Sequence, residues 1–162
     1  MIWSIFFIYL KKLLSASICT RQHSVTKLLI LKGANINEKN NDGYDAILWS
    51  ASVGDTTIID FLLEQGANIN SKTKSGDTIL SLLASESNLK FDEKIRYIDK
   101  LVSNGADSDK LSLLAYTRNI KILKYITEKY HSKINYLNSD LHAALINAIC
   151  YSDNELINFL IE

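Results

Sequence analysis

The chain has 162 residues, enough for one good core or a handful of stacked small units, and it is 47% hydrophobic and 22% charged. Lys plus Arg and Asp plus Glu number 18 each, so the formal net charge is zero. A protein dedicated to binding nucleic acid would carry a basic surface, and the composition therefore argues against that class.

The N-terminal segment "MIWSIFFIYLKKLLSASIC" (1–19) is mostly apolar up to its two lysines. The apolar run is too short to cross a bilayer as a helix. A secretory signal carries its positive charge before the apolar run, whereas here Lys11 and Lys12 follow it. We predict an ordinary buried helix, in which residues 10–19 form the first helix of a helix pair, and keep a membrane-associating segment as the alternative.

A second helix is predicted for "SVTKLLILKG" (24–33), which runs into the phrase GANIN at 33–37. The same five letters recur at 66–70. A glycine just past a helix adopts the left-handed conformation without Cβ strain. Ala34 and Ala67 are small enough to pack beneath that turn, and the asparagines that follow can bond its free backbone groups. The phrase therefore predicts the end of one structural unit and the start of the next.

Between the two phrases, the segment "YDAILWSASVGDTTIIDFLLEQG" (44–66) has apolar residues at helical spacing. The stretch "SVGD" (52–55) interrupts this pattern with a glycine, which stops a helix, and an aspartate, which caps the next one. Asp45, and Thr78 in the following unit, can accept hydrogen bonds from the free N–H groups of the first helices. The unit is therefore predicted to be two short antiparallel helices and a polar loop, with tight N-D-G and K-S-G turns and little or no regular strand.

Later copies of the unit are looser. The letters GAD at 105–107 close a third unit that is longer than the one between Gly33 and Gly66, and its six extra residues are predicted to lie between its two helices, in 85–94. A fourth unit (111–130) keeps both helices but has lost part of its polar loop, which predicts a gap in the row of projecting loops. A fifth unit (141–162) stops before its closing glycine.

The segment "DGYDAILWSASVGDTTIIDFLLEQGANIN" (42–70) resembles the ankyrin repeat over its full unit, at DG, A-x-x-G, the paired leucines and the closing GA-N-x-N. The segment "SGDTILSLLAS" (75–85) follows in register. The family's T-P-L-H tetrapeptide is replaced by Asp45–Leu48 and Thr78–Ser81, which lack its proline and histidine. In the family that histidine ties neighbouring loops together.

The resemblance implies an all-α ankyrin-repeat solenoid of about five stacked helix-turn-helix units, of which two are well matched and three degenerate. Because one unit cannot cover its own apolar face, stacked neighbours make the core continuous, and we expect a single domain over residues 1–162. The predicted units span approximately residues 10–33, 43–66, 76–105, 111–130 and 141–162.

The sequence contains no arrangement typical of catalysis, metal binding or cofactor binding. Cys19 and His23 are four residues apart without a second pair nearby, and His131 and His142 lie eleven apart across a predicted loop. A phosphate-binding G-x-x-x-x-G-K loop is absent. Cys19 and Cys150 are predicted to be reduced, partly buried thiols, as in an intracellular protein. We expect no enzyme activity, no cofactor, no metal and no small-molecule substrate.

The resemblance implies a non-catalytic module that binds another protein through its loop tips and the concave face of its first helices. Tyr44 is the expected anchor, because an exposed tyrosine gives a large contact area at low entropic cost. Trp49 is expected to be wedged between helices rather than offered to a partner. The expected partner-binding residues are Lys39, Asn41, Asp42, Tyr44, Ser52, Val53, Lys72, Lys74, Ser75, Asp77, Ser85 and Glu86.

Two alternatives remain open. The apolar N-terminus would suit a membrane-associated ankyrin-repeat protein, and solubility of the full chain without detergent would exclude this. The final helix, "ELINFLIE", has no polar cap, which would suit a fragment of a longer array. We expect a cytoplasmic location, with membrane association or delivery into a host cell as alternatives.

Overall fold

The computed structural model describes residues 2–107, 120–130, 146, 149–150 and 154–161, and within these ranges the backbone is helical or loop, with no strand. The prediction of an all-α protein is therefore confirmed for the described part of the chain. The helices with described bounds are α1 (Ile2–Cys19), α2 (His23–Leu31), α3 (Ala46–Ser52), α4 (Thr56–Glu64), α5 (Ile79–Ser85), α6 (Phe91–Ser103), α7 (Ile120–Tyr130) and α8 (Asn154–Ile161).

Helix α1 is longer than predicted. It begins at Ile2, so the apolar N-terminal residues continue directly into the helix that we placed at residues 10–19. Leu10, Leu14 and Ile18 are buried, and their spacing of four places them on one face of the helix. In the part of the chain that the structure describes, no helix has both the length and the apolar character needed to cross a membrane.

The three closing glycines occupy corresponding corners, at the ends of α2, α4 and α6. In each corner the glycine N–H donates to the carbonyl three residues back, and the following alanine N–H donates to the carbonyl five residues back. These paired bonds are the Schellman motif, which requires the left-handed conformation of the glycine. The predicted corners at these glycines are confirmed. The φ values are 89° at Gly33, 83° at Gly66 and 93° at Gly105, and the buried alanines are Ala34, Ala67 and Ala106.

Asparagine side chains organise the loop after each GANIN corner, as predicted. Asn35 Oδ1 accepts from the backbone N–H of Asn37 at 3.1 Å, and Asn68 Oδ1 accepts from that of Asn70 at 3.0 Å. Asn37 Oδ1 also accepts from the backbone N–H of Asn68 at 3.3 Å. The same phrase therefore shapes its own loop and bonds to its next copy.

Aspartates begin both helices of the best-matched unit. Asp45 caps α3 by accepting from the backbone N–H of Leu48 at 3.2 Å, and Asp55 caps α4 by accepting from that of Ile58, also at 3.2 Å. Thr78 directly precedes α5, as predicted. α3 packs against α4, and each fully buried aliphatic side chain of the two helices contributes about 1.5–3 kcal/mol. These side chains include Ile47, Leu48, Ile58, Ile59 and Leu62.

The six extra residues of the third unit are divided between a loop and a helix. The α5–α6 loop has five residues where the α3–α4 loop has three, and α6 has 13 residues where α4 has nine. Lys94, in the extra turn of α6, is buried, and its Nζ donates to the carbonyl of Ala84 at the end of α5 at 3.1 Å. Burial lowers the pKa of Lys94 below its ordinary value. The prediction that all six lie between the helices is therefore only partly correct.

The chain divides into two compact halves, an N-terminal half (Met1–Ile79) and a C-terminal half (Leu80–Glu162). In the N-terminal half, α1 packs against both α2 and α3. The prediction of a single domain stays a prediction. The shortened loop of the fourth unit, His131 and His142 lie outside the described residues.

Both cysteines are free, as predicted, but the prediction of partial burial is wrong because both are exposed. Cys19 is the last residue of α1, and it points away from the face on which its neighbour Ile18 is buried. The alignment of Cys19 with a first-helix position favoured packing, but at the end of α1 Ile18 is fully buried and Cys19 is exposed.

Candidate partner-binding groove

The first polar loop (residues 32–45), between α2 and α3, contains a turn built around one side chain. Asn40 Oδ1 accepts from the backbone N–H groups of Asp42 at 2.9 Å and Tyr44 at 2.8 Å. The N–H of Asn40 donates to the Tyr44 carbonyl at 2.8 Å, and the N–H of Gly43 donates to the Asn40 carbonyl at 3.1 Å. This turn leaves the side chains of Asn41 and Asp42 exposed.

The second polar loop (residues 65–78), between α4 and α5, repeats the turn with a threonine in place of the asparagine. Thr73 Oγ1 accepts from the backbone N–H of Asp77 at 2.9 Å, and the Thr73 N–H donates to the Asp77 carbonyl at 3.0 Å. The Asp77 carboxylate accepts from Thr73 Oγ1 at 2.9 Å and from Ser75 Oγ at 2.5 Å. Two predicted partner-binding residues, Ser75 and Asp77, therefore stabilise their own turn.

Four bonds hold the two polar loops side by side, and one of them is the bond from the Asn68 N–H to Asn37 Oδ1 described above. The Lys74 N–H donates to the Asp42 carbonyl at 2.9 Å, and Lys39 Nζ donates to the Lys72 carbonyl at 2.6 Å. The buried hydroxyl of Ser71 donates to the carboxylate of the α3 cap. Lys39 and Lys72 hold equivalent positions in successive units, so their bond joins one copy of the repeat to the next. Lys39, predicted to contact a partner, thus also contacts its counterpart loop.

Two further bonds join the first and second units, between the α1–α2 turn of one and the α3–α4 turn of the other. His23 Nε2 lies 2.7 Å from Asp55 Oδ2, and the guanidinium of Arg21 donates to the Val53 carbonyl. Neither bond was predicted from the sequence, where His23 was considered only as a metal ligand. A bond to a backbone carbonyl has no sequence pattern. These groups tie the units together although the family's own histidine is missing.

An open groove of about 470 Å³ lies between α1, the first polar loop and α3. We call it the α1–α3 groove. Helix α1 contributes Lys12, Leu14 and Ser15 to its lining, and α3 contributes Ala46 and Trp49. The remaining lining residues come from the first polar loop and are Asn35, Glu38, Asn40, Asn41, Asp42, Tyr44 and Asp45.

Two aromatic side chains form one wall of the groove. The ring centroids of Tyr44 and Trp49 are 4.7 Å apart and their planes are tilted by 34°. Both side chains are half-buried, and neither the Tyr44 hydroxyl nor the Trp49 indole N–H bonds to any of the residues that the structure describes. Burial raises the pKa of Tyr44, and the negative charges of Asp77 and Asp42 raise it further.

Three of the predicted partner-binding residues, Asn41, Asp42 and Tyr44, line the groove. Tyr44 is half-buried rather than fully exposed, because its ring lies against Trp49. Trp49, expected to be wedged between helices rather than offered to a partner, is half-buried and lines the groove between α1 and α3. Lys12 was not among the predicted residues, and the one indication in the sequence is that it lies one repeat length before Asp45.

The predicted residues on the first helices lie apart from the groove lining. The hydroxyl groups of Ser52 and Ser85 donate to carbonyls of their own helices, at 2.8 and 2.9 Å. The Glu86 carboxylate accepts from the backbone and side-chain N–H groups of Asn88 at 2.9 and 2.6 Å. Ser85 and Glu86 belong to the C-terminal half. A partner contact by these residues, or by Val53, stays a prediction.

Comparison with known families gives one match. The family model described as ankyrin repeats, in three copies, matches residues 13–110. The matched range takes in nearly all of the three units that we placed at residues 10–33, 43–66 and 76–105. A search of the curated proteins found no match to the chain.

Proposed function

The chain belongs to the ankyrin-repeat family, whose repeats are generally protein–protein interaction modules, and we propose that it binds a partner protein in the α1–α3 groove. The groove is formed by a polar loop and two first helices, which are the elements that the resemblance implies for binding. The family is typically non-catalytic, and the proposed role is likewise binding without chemistry.

The observation that carries this proposal is the open pair of Tyr44 and Trp49. Tyrosine and tryptophan are enriched among residues that dominate interface energies, because each combines a large apolar area with a polar group. Here the hydroxyl and the indole N–H have no hydrogen bond to a described residue, so both are available to a ligand. The rings line a concave surface, where a partner segment can cover both at once.

Rigidity of the groove also supports the proposal. The Asn40 side chain fixes the turn before Tyr44, and the bond from Lys74 to Asp42 fixes the turn against the next loop. A preformed loop loses little conformational entropy on binding, so more of the contact energy appears as affinity. The loop tips thus contribute both contacts and the bonds that keep the groove in shape.

Affinity capture with the full chain tests the proposal. We expect the wild-type chain to capture a partner protein, and we expect Tyr44→Ala to bind that protein with about 30-fold lower affinity. This corresponds to the loss of a central anchor that contributes about 2 kcal/mol. The affinity of the captured protein for each variant is measured by surface plasmon resonance, and circular dichroism verifies the fold of each variant.

Leu28→Ala is the matched control. Leu28 is a large, 54% exposed apolar side chain in the same half of the chain, on α2 and outside the groove lining. We expect this variant to bind the captured protein like the wild type. Binding that survives Tyr44→Ala but is lost in Leu28→Ala would place the partner on the other helix and overturn the proposal.

A further inference from the structure

The charges that line the α1–α3 groove are mostly negative. Among the lining residues that the structure describes, Glu38, Asp42 and Asp45 contribute carboxylates, and Lys12 contributes one ammonium group. Asp45 is buried and its carboxylate is occupied by the α3 cap and by the hydroxyl of Ser71. Asp42 is exposed, and its carboxylate makes no hydrogen bond to the residues that the structure describes. Glu38 already has a partner within the chain, so Asp42 is the acidic group of the lining that is available to a ligand.

The aromatic wall adds a second preference for positive charge. The face of an aromatic ring attracts a cation by about 0.5–2 kcal/mol, and more strongly where water is excluded. Tyr44 and Trp49 lie side by side within the same groove as Asp42. A planar guanidinium suits such a place better than an ammonium group, because it can stack on a ring and bond to a carboxylate at the same time.

We propose that the groove binds a basic peptide segment of the partner protein, with an arginine guanidinium stacked on the Tyr44–Trp49 pair and paired with the Asp42 carboxylate. This inference rests on the proposed function and names the chemistry of the segment that enters the site. Lys12, on the α1 wall, repels a second cation and so confines the arginine to the aromatic wall.

The raised pKa of Tyr44 also indicates that the groove prefers a cation. Apart from burial, the charges of Asp77 and Asp42 oppose the negative phenolate and raise the pKa of Tyr44. The field that disfavours an anion at this ring favours a cation there. The charges that shift the pKa of Tyr44 are both negative, and the lysines at positions 39 and 74 are not among the residues that line the groove.

The probe is the blocked tripeptide acetyl-Gly-Arg-Gly-amide, titrated into the isotope-labelled full chain and followed by NMR. Its control is the same peptide with citrulline, which keeps the shape of the side chain but lacks the charge. We expect the arginine peptide to shift the Trp49 indole and Tyr44 amide resonances saturably, and the citrulline peptide to bind about fivefold more weakly. Equal binding of the two peptides, shifts centred elsewhere, or no shifts at all would overturn the inference.

A pair of variants separates a specific contact from a general charge effect. Asp42→Asn removes the proposed partner of the guanidinium, and Glu64→Gln removes one exposed negative charge at the end of α4, outside the groove lining. We expect only Asp42→Asn to weaken binding of the arginine peptide, again by about fivefold. Equal weakening by both variants would reduce the effect to net charge and overturn the inference.

Failure of this inference is distinguishable from failure of the proposed function. Suppose that Tyr44→Ala abolishes binding of the captured partner, while Asp42→Asn and Arg→Gln substitutions in the partner leave the affinity unchanged. The groove would then remain the binding site, and only the proposed arginine contact would be excluded. A captured partner that is insensitive to Tyr44→Ala would exclude both.

Discussion

Two glycines with the same place in the repeat have different surroundings. Gly43 and Gly76 end equivalent turns, and both have positive φ, 87° and 92°. A Cβ at Gly43 would lie 2.6 Å from the backbone nitrogen of Lys74 and 2.9 Å from the carbonyl carbon of Thr73. A Cβ at Gly76 would have no heavy atom of the described residues within 4 Å. Only Gly43 is therefore fixed by contact between the two polar loops.

Gly43→Ala is expected to destabilise the chain more than Gly76→Ala. Both substitutions place a Cβ on a left-handed backbone, at a cost of about 1–2 kcal/mol. At Gly43 the new Cβ also collides with backbone atoms, and such overpacking adds about 1–3 kcal/mol. Urea denaturation followed by far-ultraviolet circular dichroism measures both free energies of unfolding. If both variants lost the same free energy of unfolding, the close contact between the two polar loops at Gly43 would be contradicted.

The sequence predicts residues well where the backbone demands a particular type. Glycine at the helix ends and Asp45 at the start of α3 were found because a left-handed corner and a helix N-terminus each accept few residues. The same reasoning missed the contact between Lys39 and the Lys72 carbonyl. Every residue has a carbonyl, so its use as an acceptor is decided by the fold alone.

At the scale of elements, α6 and α7 are joined through the carboxylate of Asp99, which accepts hydrogen bonds from three side chains of α7. Asp99 accepts from the hydroxyls of Tyr125 and Tyr130, each at 2.7 Å, and from Lys129 Nζ at 2.5 Å. Burial raises the pKa of Asp99, but the hydrogen bonds from Lys129, Tyr130 and Tyr125 outweigh burial, and the pKa is lowered from its ordinary 3.8. Burial and the bond to Asp99 raise the pKa of Tyr130 to about 12.

Acid is expected to weaken this junction. Because the pKa of Asp99 is lower in the folded chain, its stabilisation is complete above the ordinary value of 3.8 and is lost as the pH falls through the folded pKa. Asp99→Asn should therefore lower the free energy of unfolding at neutral pH and flatten its fall between about pH 5 and pH 2. Urea denaturation of both chains across this range measures the difference.

Asp92→Asn is the control for this prediction. Asp92 is an exposed carboxylate in the first turn of the same helix, and it takes no part in the cluster around Asp99. A pH profile that changes equally in both variants would show that the loss of any carboxylate suffices, and the junction would then have no special role in acid.

Some helix bounds were predicted from the sequence pattern, and others depend on tertiary packing. The repeat period placed α2 to α6 because apolar spacing, caps and glycines agree there. The start of α1 at Ile2 and the division of the six extra residues between a loop and α6 were not found. An apolar run with no cap, and an inserted segment with helical composition, are both compatible with more than one helix start.

For the whole molecule, the repeat made the family recognisable before any coordinates, since a corner motif that returns at a fixed spacing, at 33–37 and 66–70, is a strong sequence signal. The proposed binding groove was only partly predicted. The loop residues Asn41, Asp42 and Tyr44 were among the predicted residues, whereas the α1 wall and the place of Trp49 in the lining depend on how α1 packs against α3. A groove is a space between elements, and no single segment of sequence encodes it.

Photo-crosslinking of the captured partner tests the central claim most directly. A benzoylphenylalanine at Asn41, on the exposed tip beside the groove, should form an adduct with the partner. The same group at Leu31, a 72% exposed position at the end of α2, should form none. An adduct from position 31 together with none from position 41 would contradict the assignment of the α1–α3 groove as the binding surface.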